Sequence, residues 1–109
     1  MTTIYGIKTC DTCRKAMKAL EDAGQSVAFR DVRADPLDEV TLAQFLDAFG
    51  MALLNTRSTT WRGLSDAERA EPPMALLATH PTLMKRPVIE GRSGLTLGWT
   101  KDVQAAQLG

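Results

Sequence analysis

The chain has 109 residues, 44% of them hydrophobic and 24% charged. That length and balance fit one folded domain and exclude a disordered chain. Thirteen Lys and Arg against thirteen Asp and Glu leave no net charge, which excludes a protein that coats nucleic acid through bulk charge, so no direct nucleic-acid partner is expected.

Met1–Tyr5 reads as the start of a strand rather than as a basic, apolar leader. No apolar run approaches the ~18 residues of a membrane span, so the expectation is a cytoplasmic protein with no membrane partner. The β-prone run Thr3-Ile4-Tyr5-Gly6-Ile7 is closed by a Lys8-Thr9 turn. From Cys13 the apolar positions Cys13, Ala16, Met17, Leu20 and Ala23 recur at helical spacing, with Arg14, Lys15, Lys18, Glu21 and Asp22 on the opposite face. Gly24 suits a left-handed residue just past that helix. Val27-Ala28-Phe29 and Arg30-Asp31-Val32 alternate as a second strand, whose Arg30–Arg33 end reads as a solvated edge. Strand, helix and strand make a βαβ unit, since parallel strands need such a crossover.

Asp35-Pro36 breaks the pattern, and Asp35 or Asp38 can cap a helix carrying Leu42, Phe45, Leu46 and Phe49, which Gly50 ends. Met51–Thr60 reads as loop. Ser65 followed by Glu68 is a capping box that starts a short helix at Asp66. Another helix runs from Pro73 until Pro81 closes or redirects it. Residues 34–84 thus form a helical insertion without a strand. Val88-Ile89-Glu90, the Gly91–Gly94 turn and Leu95-Thr96-Leu97 make an antiparallel hairpin. Thr100 can cap a last helix that buries Trp99, Val103 and Ala106. The fold class is α/β, a mixed four-stranded sheet in the order β-α-β, helical insertion, β-β-α, in a single domain over residues 1–109.

Cys10-Asp11-Thr12-Cys13 places a C-x-x-C where the first strand hands over to the first helix. The first N–H groups of a helix have no intrahelical partner and carry partial positive charge. A thiolate at Cys10 sits in that field near Lys8, Arg14 and Lys15, and such positions depress a cysteine pKa below its usual ~8.5. Asp11 opposes the effect, so the expected depression is modest. Cys13, one turn inside on the apolar face, is placed to attack a mixed disulfide on Cys10. Both are catalytic candidates. Two cysteines and the lone His80 are too few for a four-ligand zinc site, so no metal is expected. Two packed cysteines are the bland alternative, which suits Cys13 but not a residue at a helix mouth. Spacing and βαβ context together mark a thioredoxin-like redox motif. Lys8 reads as a partner for the thiolate or an anion, against a solvated turn residue. His80 reads as a structural polar tip, and Trp61 and Trp99 as core or its cover.

The stretch Tyr5-Gly6-Ile7-Lys8-Thr9-Cys10-Asp11-Thr12-Cys13-Arg14-Lys15-Ala16 resembles the opening of the arsenate reductase (ArsC)/Spx/YffB family. So do, in order and spacing, Leu53–Arg57, Thr59-Thr60-Trp61-Arg62, and His80-Pro81 leading to Lys85-Arg86-Pro87-Val88. The resemblance spans nearly the whole chain and implies a thioredoxin-like fold with Cys10 as nucleophile. It also implies that Arg57 and Arg86 flank the site and that Pro87 is cis. Arginine suits such positions because its planar fork grips oxyanions and carboxylates and keeps its charge. Lys8, Arg57, Arg86 and Pro87 are therefore the substrate-binding candidates.

Arsenate reductases of this family carry a third arginine after the last hairpin, where this chain reads Leu97-Gly98-Trp99-Thr100. Losing one of three charged clamps weakens arsenate binding, at ~1.5–3 kcal/mol per charged hydrogen bond. The Thr-Thr-Trp-Arg block and the Gly-Trp ending resemble the YffB branch. That branch implies a thiol-disulfide oxidoreductase with glutathione as co-substrate and no tightly bound cofactor. The C-x-x-C also resembles Spx regulators, which implies a redox switch bound to the RNA polymerase α subunit as the alternative.

Overall fold

The computed structural model describes residues 2–108 and contains one sheet of four strands, β1 (Thr2–Gly6), β2 (Val27–Asp31), β3 (Val88–Gly91) and β4 (Gly94–Leu97). Their order is β2-β1-β3-β4. β1 runs parallel to β2 with Ile4 opposite Phe29 and Gly6 opposite Asp31, and antiparallel to β3 with Ile4 opposite Ile89. β3 and β4 are the expected hairpin. Met1 of the expected first strand, and Gly109, lie outside the described residues. The chain divides into two compact units, Met1–Asp35 with Arg86–Gly109, and Pro36–Lys85.

In the sheet unit, α1 (Asp11–Asp22) buries Cys13, Ala16 and Leu20, the i, i+3 and i+7 stripe that the apolar spacing dictates. Asp11 favours the positive end of its dipole, and Gly24 at φ +86° takes the left-handed residue beyond its end. Ile4, Ala16, Leu20 and Ile89 are all 0% exposed and form one cluster, joined by Met17, Val27, Phe29, Trp99, Val103 and Leu108. Register puts Ile4, Phe29 and Ile89 on the same sheet face, so α1 and the last helix, which touch each other, share that face. The last helix is α6 (Lys101–Leu108), and Thr100 accepts from Val103 N–H at 3.3 Å as its cap. A fully buried leucine such as Leu20 contributes about 1.5–3 kcal/mol.

The Pro36–Lys85 unit is helical as expected, holding α2 (Glu39–Phe49), α3 (Thr59–Arg62), α4 (Asp66–Arg69) and α5 (Pro73–Thr79). Asp38, not Asp35, caps α2 by accepting from Thr41 N–H at 2.8 Å. Leu42 and Phe45 of α2 are buried, as are Leu76 and Leu77 of α5, which packs on it. The segment read as loop from Met51 to Thr60 is more ordered than its composition suggests. Gly50–Leu53 is a 3-10 turn, and α3 begins at Thr59 because the Ser58 hydroxyl caps it by accepting from Trp61 N–H at 3.1 Å. An isolated Leu54–Met84 bridge ties that segment to the unit's end. The Ser65–Glu68 capping box is complete. Arg69 lies over the Trp61 ring at 5.5 Å and donates to the Trp61 carbonyl, so Trp61 covers its own unit. His80 pairs with Glu68 at 3.8 Å, a structural role. Among the described residues, no helix is long and apolar enough to cross a membrane.

Candidate active site

Cys10 is the residue before α1, in an extended conformation at φ −80° and ψ 120°. Serine or aspartate at that position places an oxygen over the unpaired N–H groups of the first turn. Here a sulfur stands in their place. It falls short of full capping geometry, yet the Cys13 N–H, third in the helix, faces it and favours its ionised form.

Cys10 is half-buried, and burial by itself pushes its thiol up. The Cys13 N–H, the Cys13 thiol and the Arg86 guanidinium, which donates to the sulfur, outweigh burial and hold Cys10 below the ordinary cysteine range. The direction and the share owed to the helix N–H match the expectation, but the charge comes from elsewhere. The charge that lowers it is that of Arg86, 76 positions away in sequence and brought near by the β1–β3 pairing. Arg14 is turned to Asp11 at 3.1 Å.

Cys13 is 0% exposed. Burial pushes its thiol up to about 11; the Ile7 N–H opposes that rise and the neighbouring Cys10 adds to it. Both residues are free thiols. One sulfur is therefore poised to ionise at the surface while the second stays protonated behind it.

The Arg86–Pro87 peptide bond is cis, and Pro87 is buried at the entry to β3. Its carbonyl accepts from Gly98 N–H at 2.8 Å. Gly98 stands at φ +83°, a backbone conformation that strains any other residue, and Trp99 packs against the core. Lys8 is exposed and borders, with Arg14, Met17 and Phe29, a cleft of about 240 Å³. Arg57 belongs to the Pro36–Lys85 unit, where it is exposed in a turn whose Asn55 side chain accepts its N–H at 3.1 Å.

Two residues escaped sequence reasoning. Gly6 lets the Cys13 sulfur lie directly against the backbone of β1; a Cβ there would overlap that sulfur. Asp31, read as part of a solvated edge, is only 9% exposed, and Val32 beside it 2%. The reason is that the Asp31 carboxylate accepts three backbone N–H groups, from Lys8, Arg33 and Ala34. An aspartate closing a strand beside a cysteine loop is a signal only when the pairing of β1 and β2 is known.

Since the Arg86 donor favours the thiolate, Arg86→Ala moves the Cys10 pKa up. We expect iodoacetamide alkylation of Cys10 at neutral pH to slow several-fold and its pH profile to shift to alkaline values, with Arg86→Lys intermediate. An unmoved profile removes Arg86 from the site.

The ArsC family profile matches residues 5–106. An uncharacterized protein of Haemophilus influenzae is 41% identical over 112 residues, covering 97% of this chain and 98% of its own length. The global transcriptional regulator Spx of Bacillus subtilis is 29% identical over 94% of this chain and 82% of its own length. Among solved structures, a YffB protein aligns over 100% of both chains with a TM-score of 0.89 and 32% identity. An arsenate reductase (ArsC) related protein from Brucella melitensis aligns with a TM-score of 0.73 and 37% identity, over 95% of this chain and 92% of that one. The element order and the four-stranded mixed sheet described above are this thioredoxin-like α/β fold.

Proposed function

The chain belongs to the ArsC family, and on that premise we propose that it is a cytoplasmic thiol-disulfide oxidoreductase with Cys10 as nucleophile and glutathione as the partner thiol. The observation that carries the reading is the pair of unlike thiols: Cys10 held below the ordinary range by Arg86 and the helix N–H, Cys13 raised behind it.

The Cys10 thiolate attacks one sulfur of a substrate disulfide; a new S–S bond forms to Cys10, the substrate S–S bond breaks, and the departing thiolate takes a proton. The Cys13 thiolate then attacks the Cys10 sulfur and releases the second substrate thiol. The substrate gains two electrons and the protein is left with a Cys10–Cys13 disulfide, which two glutathione molecules return to two thiols as they leave joined as glutathione disulfide. Arg86 steadies the charge on Cys10 and can hold a carboxylate of the incoming thiol. Lys8, exposed on the loop, adds a cation at its rim, and Pro87 shapes the entry to β3 beside it. Arsenate reduction is not proposed, because Gly98 and Trp99 supply no cation.

Reduced protein mixed with glutathione disulfide should form a glutathione adduct on Cys10 and then an internal disulfide, both visible by mass spectrometry of proteolytic fragments. An adduct on Cys13 alone, or none on either cysteine, overturns the reading. A second reading, a redox-switched regulator, is favoured by the match to Spx over 94% of the chain. Under that reading the RNA polymerase α C-terminal domain is retained by the immobilised protein in one redox state. Retention in neither state eliminates it.

A further inference from the structure

The loop that carries Cys10 runs from Ile7 to Cys10 and is held by few bonds. Cys10 N–H donates to the Ile7 carbonyl at 2.9 Å. The same peptide unit presents the Lys8 N–H on its other side, because a peptide is planar and its C=O and N–H point in opposite directions. That N–H donates to Asp31 Oδ2 at 3.0 Å. Asp31 Oδ1 meanwhile accepts from Arg33 N–H at 2.9 Å and Ala34 N–H at 3.1 Å, closing the turn after β2. One oxygen therefore serves the aspartate's own turn, and the other reaches across to the plate on which the Cys10 backbone hangs. β1 and β2 fix the distance, since Gly6 stands opposite Asp31 and the Gly6 carbonyl accepts from Val32 N–H at 2.9 Å.

We propose that Asp31 is a positioning residue for the nucleophile: through the Ile7–Lys8 peptide it sets where the Cys10 sulfur sits over the first turn of α1. A carboxylate on the N–H polarises the peptide and strengthens its carbonyl as the acceptor for Cys10. The role extends the reading of Cys10 as nucleophile and depends on it. The Lys8 N–H first, then the Ala34 and Arg33 N–H groups and the Arg33 charge, hold the Asp31 carboxyl below the ordinary carboxylate range against the opposing influence of burial. The charge that acts on it is Arg33; Lys8 meets it through its backbone N–H, and Arg30 is paired with Asp35 at 3.2 Å. Because the folded pKa is depressed, the tether is present at neutral pH and is lost only in acid, below the ordinary carboxylate range.

Asp31→Asn separates the two duties of the carboxylate. The amide oxygen can keep the Arg33 and Ala34 bonds, while the amide nitrogen meets the Lys8 N–H donor to donor. Removing a nearby negative charge would by itself ease ionisation of Cys10 and shift its alkylation profile to lower pH. Loss of positioning does the opposite. We expect Asp31→Asn to fold with unchanged circular dichroism, to shift the Cys10 alkylation profile to higher pH, and to slow alkylation at neutral pH several-fold. A profile that stays or moves to lower pH overturns the proposal.

A second measurement needs no variant at position 31. In the NMR spectrum of the natural protein the Lys8 amide proton should titrate in acid with the Asp31 carboxyl, the Cys10 amide following it, and should do so equally in Asp35→Asn. A flat Lys8 amide overturns the tether even if Asp31→Asn fails to fold. Should Cys10 of the natural protein alkylate with an ordinary cysteine profile, the nucleophile reading falls, while the Lys8 titration still decides the tether.

Discussion

Cys10→Ser should abolish thiol turnover, whereas Cys13→Ser should leave the first step intact and arrest the second. The asymmetry follows from the two sulfurs. Cys10 is half-buried and held toward ionisation; without it no thiolate of comparable access exists, since Cys13 is 0% exposed. A serine hydroxyl is no substitute, because the thiolate is the attacking species in disulfide exchange. The resolving step depends on Cys13, whose thiol is pushed up to about 11. At pH 7 only about one in ten thousand such thiols is ionised. Part of that elevation comes from Cys10 itself, and it disappears once Cys10 is bound in a mixed disulfide, leaving the Arg86 charge to favour the Cys13 thiolate. Resolution of the mixed disulfide should therefore accelerate with rising pH in the natural protein and be absent in Cys13→Ser, where the adduct accumulates. Rapid quenching in acid followed by mass spectrometry reads both. A Cys10→Ser protein that retained turnover with any disulfide substrate would sink the mechanism.

Gly6→Ala should destabilise the fold by about 1–3 kcal/mol, the range for overpacking a closed core, and lower Tm on the order of 10 °C for a chain of this size. The added methyl overlaps the Cys13 sulfur, approaches its Cβ at 3.3 Å and reaches the Phe29 ring at 3.6 Å. Cys13 has little room to give way: it is fixed on the buried face of α1, and Ile4, two residues from Gly6, and Ala16, one turn from Cys13, are fully buried. The cause can be isolated by a double-mutant cycle. Cys13→Ala removes the overlapping sulfur, so Gly6→Ala should cost far less in that background. Denaturant titration of the four proteins gives the coupling directly. Equal costs in both backgrounds would mean that the glycine answers to something other than the sulfur.

The elements of this protein were legible because each is written in local chemistry. The α1 stripe needs only the spacing of Cys13, Ala16 and Leu20, the start of α4 only Ser65 and Glu68, and the β3–β4 turn only its glycines. Segments whose order comes from single hydroxyl or backbone bonds were harder to see. The 3-10 turn at Gly50–Leu53 and the Ser58 cap of α3 look like loop in composition, because one capping bond leaves little trace in the hydropathy pattern. The part that Arg86 plays at Cys10 was hidden for a related reason. Lys8 and Arg14 are near in sequence, but Lys8 is exposed and Arg14 is turned to Asp11, while the guanidinium that reaches the sulfur arrives on the segment just before β3.

By itself, then, the order of residues determined the strands, the long helices and the placement of a cysteine at a helix mouth, since periodicity, capping and turn chemistry act over a few positions. Strand pairing alone decided which cation meets that cysteine, why no side chain fits at Gly6, and why Asp31 is buried rather than solvated. Those facts depend on β1 lying between β2 and β3. A neighbour across a sheet is set by register, which brings together groups whose separation along the chain carries no information about the distance between them.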